Sequence, residues 1–145
     1  MADFGPSDIK RALQEFPTLW RMLELYEGSL QRDLESIVTL KTVFSLENKG
    51  GKIHIVFNGL NFKVTGSSRV VLSGSTPFML LSFDYEEKDE LNPLLKIFIA
   101  SNGSASVGSF DSTDIITLED VHMSAGAKIF DKLAKAAYYG GHISA

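Results

Sequence analysis

The spacing of apolar residues predicts an α+β fold. The expected form is an antiparallel meander sheet of six to eight strands, curved or closed as a partial barrel. Two N-terminal helices and one C-terminal helix frame it. Three observations carry this. Apolar residues recur every three or four positions before residue 38 and again after residue 124. Between those limits they alternate with period two, and glycine-containing pairs punctuate the alternating stretch.

The first helix begins near Pro6, with Ser7 as the expected N-cap and Asp8 in its first turn. Ile9, Ala12, Leu13 and Phe16 follow at helical spacing. Pro17 ends this helix or sits near the start of the next. The second helix is the clearest element. Leu19, Met22, Leu23, Tyr26, Leu30, Leu34 and Ile37 form its apolar stripe, and Arg21, Glu24, Glu27, Gln31, Arg32 and Glu35 lie off it. Gly28 in its interior costs roughly 1 kcal/mol against alanine.

Period two then sets in. Val38, Leu40, Thr42, Phe44 and Leu46 read as one face of a strand, and Asn48 to Gly51 as a turn. Ile53, Ile55 and Phe57 make a second strand. Asn58-Gly59 is a strong hairpin signal, with Leu60, Phe62 and Val64 beyond it. Gly66-Ser67-Ser68 reads as a turn before a short strand from Val70 to Leu72, and Gly74 to Pro77 as another turn. The run from Phe78 to Phe83 is apolar on both faces, which places it centrally in the sheet. Glu86 to Glu90 is expected as an exposed loop or a single helical turn. Leu94 to Ala100 is a strand, Asn102-Gly103 a hairpin turn, Ala105 and Val107 a weak strand, and Ile115 to Leu118 a last one. In the closing helix, Lys128–Tyr139, Ile129, Phe130, Leu133, Ala136 and Ala137 face inward. Ser124 is its expected cap and Gly140-Gly141 its end.

No linker or repeat divides the chain, so residues 1–145 are read as a single domain. Hydrophobic residues at 44% and charged residues at 22% are ordinary for a folded domain and argue against disorder. The net charge of -4 gives no global attraction for phosphate backbones, so no nucleic-acid partner is expected. The absence of cysteine excludes disulfides, thiolate metal sites and thiol nucleophiles together. Met1 to Pro6 lacks a basic region followed by an apolar stretch, and no run approaches the ~20 residues of a membrane span. The expectation is a cytoplasmic protein, or one assembled from the cytoplasm into a particle, with Asn102-Gly103-Ser104 serving as a turn.

Chemical motifs fail at named positions. Asp84 to Glu90 and Asp111 to Asp120 are acidic, but the fifth positions of a calcium loop would be Lys88 and Ile115, and neither stretch supplies the turn glycine. Ser104-Ala105-Ser106-Val107-Gly108 lacks the first glycine of a nucleophile elbow. Gly50-Gly51-Lys52 lacks the upstream glycine of a phosphate loop and precedes a strand. His54, His122 and His142 show no helical metal spacing. His122 is the one best placed for orientation by an acid, being next to Glu119 and Asp120. No cofactor, metal or catalytic residue is assigned.

What remains are surfaces. Trp20 lies off the stripe of its helix. Tyr138 and Tyr139 precede a glycine pair. Lys128, Lys132 and Lys135 line one helix face, interrupted by Asp131. These six are the interaction candidates. The leading expectation is a non-enzymatic interaction or assembly protein, contacting a protein partner or copies of itself, as in an oligomer, a virus or phage particle. The alternatives are a domain binding a small apolar ligand between sheet and helix, a toxin-neutralising protein, and an enzyme built on an isolated histidine and carboxylate. A tail such as Gly140 to Ala145 frays unless something holds it, and a neighbouring subunit is one way to hold it.

Overall fold

The computed structural model describes residues 3–120 and 123–145. Helix α1 (Pro6–Leu13) leads into the long α2 (Phe16–Ser36) and the short α3 (Val38–Val43). Seven strands follow: β1 (Phe44–Lys49), β2 (Lys52–Phe57), β3 (Phe62–Ser73), β4 (Thr76–Glu87), β5 (Glu90–Ile99), β6 (Ala105–Val107) and β7 (Ile115–Ile116). Helix α4 (Ala125–Tyr139) closes the chain. Each strand pairs antiparallel with its neighbour in sequence, and the sheet curls into a half-barrel. This is the expected α+β meander.

The pleat sorts the side chains. Ile55 pairs with Val64, Gly66 with Phe83, Leu81 with Ile97, and Ile99 with Ala105, which pairs in turn with Ile116. These residues face the buried core with α2 and α4. The stripe of α2 supplies Leu19, Leu23, Tyr26, Leu30 and Leu34, and α4 supplies Ile129, Phe130, Leu133 and Ala137. β4 is the fourth of the seven strands, as its two-faced apolar run requires. Met79, Leu81 and Phe83 are buried within the core, and Leu80 is buried on the opposite face. There the loop after β6 folds back, so that the Phe110 ring meets Phe78 at 5.9 Å.

Several expectations need correction. The cap of α1 is Gly5, two residues before Ser7. Pro6 occupies the first turn, where its missing N–H costs nothing, and the Asp8 carboxylate accepts the Gly5 N–H at 2.9 Å. Val38 to Val43 is helix instead of strand. Its β-branched residues favour extension, but the chain must turn there from α2 to the sheet edge, and tertiary position prevails. Asn58 pins that corner. Its N–H donates to Val43 O, its amide nitrogen to Thr42 O, and its amide oxygen accepts from the Ser45 hydroxyl. Asn58 is therefore held by the corner, and the following hairpin needs four residues, with β3 starting at Phe62 instead of Leu60.

Gly66 does not turn the chain, because β3 runs unbroken for 12 residues. A Cβ on Gly66 would lie 2.9 Å from the Phe83 ring, so the glycine makes room for that ring. Glu86 to Glu90 is a two-residue hairpin, with Lys88 and Asp89 both at positive φ, not a loop or helical turn. The β4–β5 register slips past Leu94, beside Pro93, which has no N–H to give the ladder.

The two core helices are joined at the start of α4. Ser124 caps α4 by position, as expected, but its hydroxyl donates to Asp33 of α2 at 2.5 Å. The same Asp33 oxygen accepts the Ala127 N–H at 2.8 Å, and Ser29 Oγ accepts the Gly126 N–H at 2.8 Å. The positive end of α4 thus rests on a carboxylate from another helix. A Cβ on Gly126 would meet Ser29 O at 2.4 Å. At the middle of α2, the Tyr26 hydroxyl donates to Gly103 O at 2.6 Å and lies 3.2 Å from Ile116 O.

Two predictions follow from these contacts. Gly126→Ala must push α2 and α4 apart and should cost about 2–3 kcal/mol in urea unfolding. Gly28→Ala, in open space on the exposed face of α2, should instead gain about 0.5–1 kcal/mol. Equal effects would show that the α2–α4 contact is looser than described. Burial raises the Tyr26 pKa above its ordinary value near 10. Above that pH the folded state holds a proton the unfolded state has lost, so stability falls as pH rises. The contribution is fully present below about pH 10 and is lost towards the raised folded value. Tyr26→Phe should cost about 1–2 kcal/mol at neutral pH and flatten the alkaline decline, measured by urea midpoints from pH 7 to 11.

Candidate functional site

The lysine row is already occupied. Lys128 pairs with Asp120, Lys132 with Asp114 at 2.7 Å, and Lys135 with Asp131 at 2.9 Å. Asp131, through its hydrogen bond and its charge, raises the Lys135 pKa. Lys128 and Lys132 therefore fasten the segment before α4 to that helix, while the Lys135 pair lies within it. The Lys135–Asp131 pair stands in water, where screening and side-chain entropy leave such a contact weak. Trp20 is half exposed near the start of α2. Tyr138 and Tyr139 stand exposed at the last turn of α4, their rings edge to face at 5.3 Å.

The two described histidines have separate neighbours. His54 Nδ1 lies 3.3 Å from the Thr65 hydroxyl, with Glu47 opposite it on β1. His142 stacks on Phe62 at 5.2 Å and lies 4.2 Å from the Tyr85 ring. His122 is outside the described residues. Neither described histidine has a hydrogen bond to a carboxylate among the contacts above. No group of three or more histidine, aspartate or glutamate side chains that could hold a metal ion occurs among the described residues. Ser101 donates to Glu15, Ser104 to Asn102 and Ser109 to Asp111, so these hydroxyls fasten loops. No described helix is long and apolar enough to cross a membrane. The C-terminal tail is held by its own chain. The His142 N–H donates to Ala137 O, Ser144 Oγ donates to Tyr138 O, and Ile143 packs on the core.

The feature that sequence reasoning missed is an open apolar groove of about 520 Å³ between α3 and α4. One wall is Ile37, Thr39, Leu40 and Val43. The other is Met123, Ser124, Ala127, Asp131 and Ala134. The rings of Phe44 and Phe130, 4.9 Å apart, form its floor. The trough exists because the α4 wall presents Ala127 and Ala134, one either side of Phe130, where longer side chains would fill it. Ile37, Val43 and Met123 remain partly exposed along it, and Val38 is 78% exposed beside it. The volume lies within the range of ligand-binding clefts. A signal was present in the sequence: two alanines seven residues apart on one face of a helix. It became a groove only when α3 proved to be a helix.

The chain has no significant match to a protein-family model, a curated protein or a solved structure.

An environment-sensitive apolar dye should brighten on the wild-type protein. Val43→Glu, at a partly exposed wall position, should abolish most of that signal while shifting unfolding by no more than about 0.5 kcal/mol. A wild-type protein that leaves the dye dark would mean the groove is closed in solution.

Proposed function

We propose that this chain is a non-enzymatic interaction and assembly protein that docks a polypeptide through the α3–α4 groove. One observation carries the reading: an open trough with aromatic rings as its floor and exposed apolar residues on its rim. Singly exposed apolar residues need no explanation, but several rimming one concavity are the usual mark of a contact site. Among the described residues, His54, His142 and the loop-fastening serines supply no competing catalytic geometry. An amphipathic helix laid in a groove, anchored every three or four residues, suits the dimensions.

The small-ligand reading changes its location. The space between sheet and helices is filled by Phe57, Phe83, Phe130 and Leu81, all buried. A small apolar molecule would have to sit in the same groove, which leaves one side of it exposed to water.

Photo-crosslinking from single positions in the intact chain, expressed in its host cell, separates these outcomes. A photoreactive residue at Val43 should trap a defined protein, one at exposed Lys52 should not, and Ala134→Glu should remove the adduct. A Val43 position that traps no protein, or traps the same set as Lys52, overturns the proposal. An adduct with a small molecule alone replaces it with the ligand reading.

A further inference from the structure

We infer that the groove receives helix α1 of a second copy, giving head-to-tail assembly of this chain. The inference rests on the groove being a polypeptide-docking site, and it names the occupant. Helix α1 is only eight residues long, below the length at which a helix is stable without packing. Yet Ala12 is its only buried side chain. Ile9 and Leu13, one turn apart, are 43% and 50% exposed, and Phe4, just before the helix, is 56% exposed. A marginal helix with its apolar residues in water gains from a cover, and the groove is lined with the matching surface.

Geometry excludes the copy's own groove. α1 joins α2 through Gln14 and Glu15 alone, whereas the groove begins at Ile37, just past the far end of α2. The 21 residues of α2 span roughly 31 Å, and the eight of α1 only about 12 Å. Whichever way α1 points, it stops well short. Charge favours a second copy as well. Lys10 borders the Ile9–Leu13 face, and among the described residues the one ionic side chain lining the groove is Asp131. Its pairing with Lys135 is exposed and so exchanges at little cost. Because the donor helix and the acceptor groove are different surfaces, the contact is heterologous and propagates into a ring or a chain.

The test uses two full-length variants, I9E/L13E in the donor helix and V43E in the groove, with mass followed by sedimentation equilibrium. The wild type should assemble with increasing concentration, and each variant alone should be monomeric. Mixed, they should form a 1:1 dimer and nothing larger, since one intact donor and one intact groove remain. Circular dichroism and urea midpoints confirm that each variant is folded. A wild type that stays monomeric at its highest attainable concentration overturns the inference, as does a mixture that forms no dimer. So does an I9E/L13E protein that assembles like the wild type. In each of those cases a defined foreign protein trapped at Val43 would leave the groove reading standing with another occupant. Loss of both results removes both.

Discussion

Everything in this molecule depends on one junction, where Asp33 and Ser29 of α2 receive the first turn of α4. A helix start leaves N–H groups without intrahelical partners, and burial makes that expensive. Here two of them are satisfied by side chains more than ninety positions away in sequence. The same carboxylate accepts the Ser124 hydroxyl. A buried carboxylate with no partner would be costly, and a helix dipole with no anion would lose its complement, so each group removes the other's penalty. Gly126 is what allows the approach, since a single methyl group would collide with the backbone of α2.

That junction sets the position of the rest. With its start fixed on Asp33, α4 lays Ile129, Phe130 and Leu133 into the concave face of the sheet and leaves Ala127 and Ala134 beside α3. The core and the groove therefore share residues. Phe130 is fully buried, touches Phe44, and is also the groove's floor. The site is the outer surface of the core at the corner where the sheet begins.

Local signals in the sequence were read correctly where one face of an element is buried uniformly. The α2 stripe from Leu19 to Leu34 and the inward residues Ile53, Ile55, Phe57, Leu81 and Ile97 obey simple periods because a single flat or cylindrical surface covers them. Ile37, expected as the end of that stripe, is instead extended and partly exposed just beyond the helix. Period reasoning failed where a residue answered to a distant partner. Gly66 resembles a turn in sequence because the need for space comes from Phe83, across the strand pair. Asn58 reads as half of a tight hairpin because its bonds to Thr42 and Ser45 are invisible locally. Val38 to Val43 satisfies period two, while Ile37, Leu40, Val43 and Phe44 satisfy a helical spacing equally well. Only the corner between α2 and the sheet decides between them. The interaction candidates were chosen by residue type, which finds exposed aromatics such as Trp20 but cannot see a concavity.

The groove was illegible for a related reason. A concave apolar site is defined by what is missing, and alanine in a helix is the commonest residue with nothing to add. The spacing of Ala127 and Ala134 can be read as a groove wall only once the wall opposite them is known, and that wall is the element the sequence disguises as strand. The same argument applies at the N-terminal end. Ile9 and Leu13 look like core residues by spacing, and only their exposure in the structure shows that the chain's own core does not take them in. A sequence encodes burial against its own fold and burial against another chain in one alphabet. The two separate only when the structure shows which apolar faces are left over.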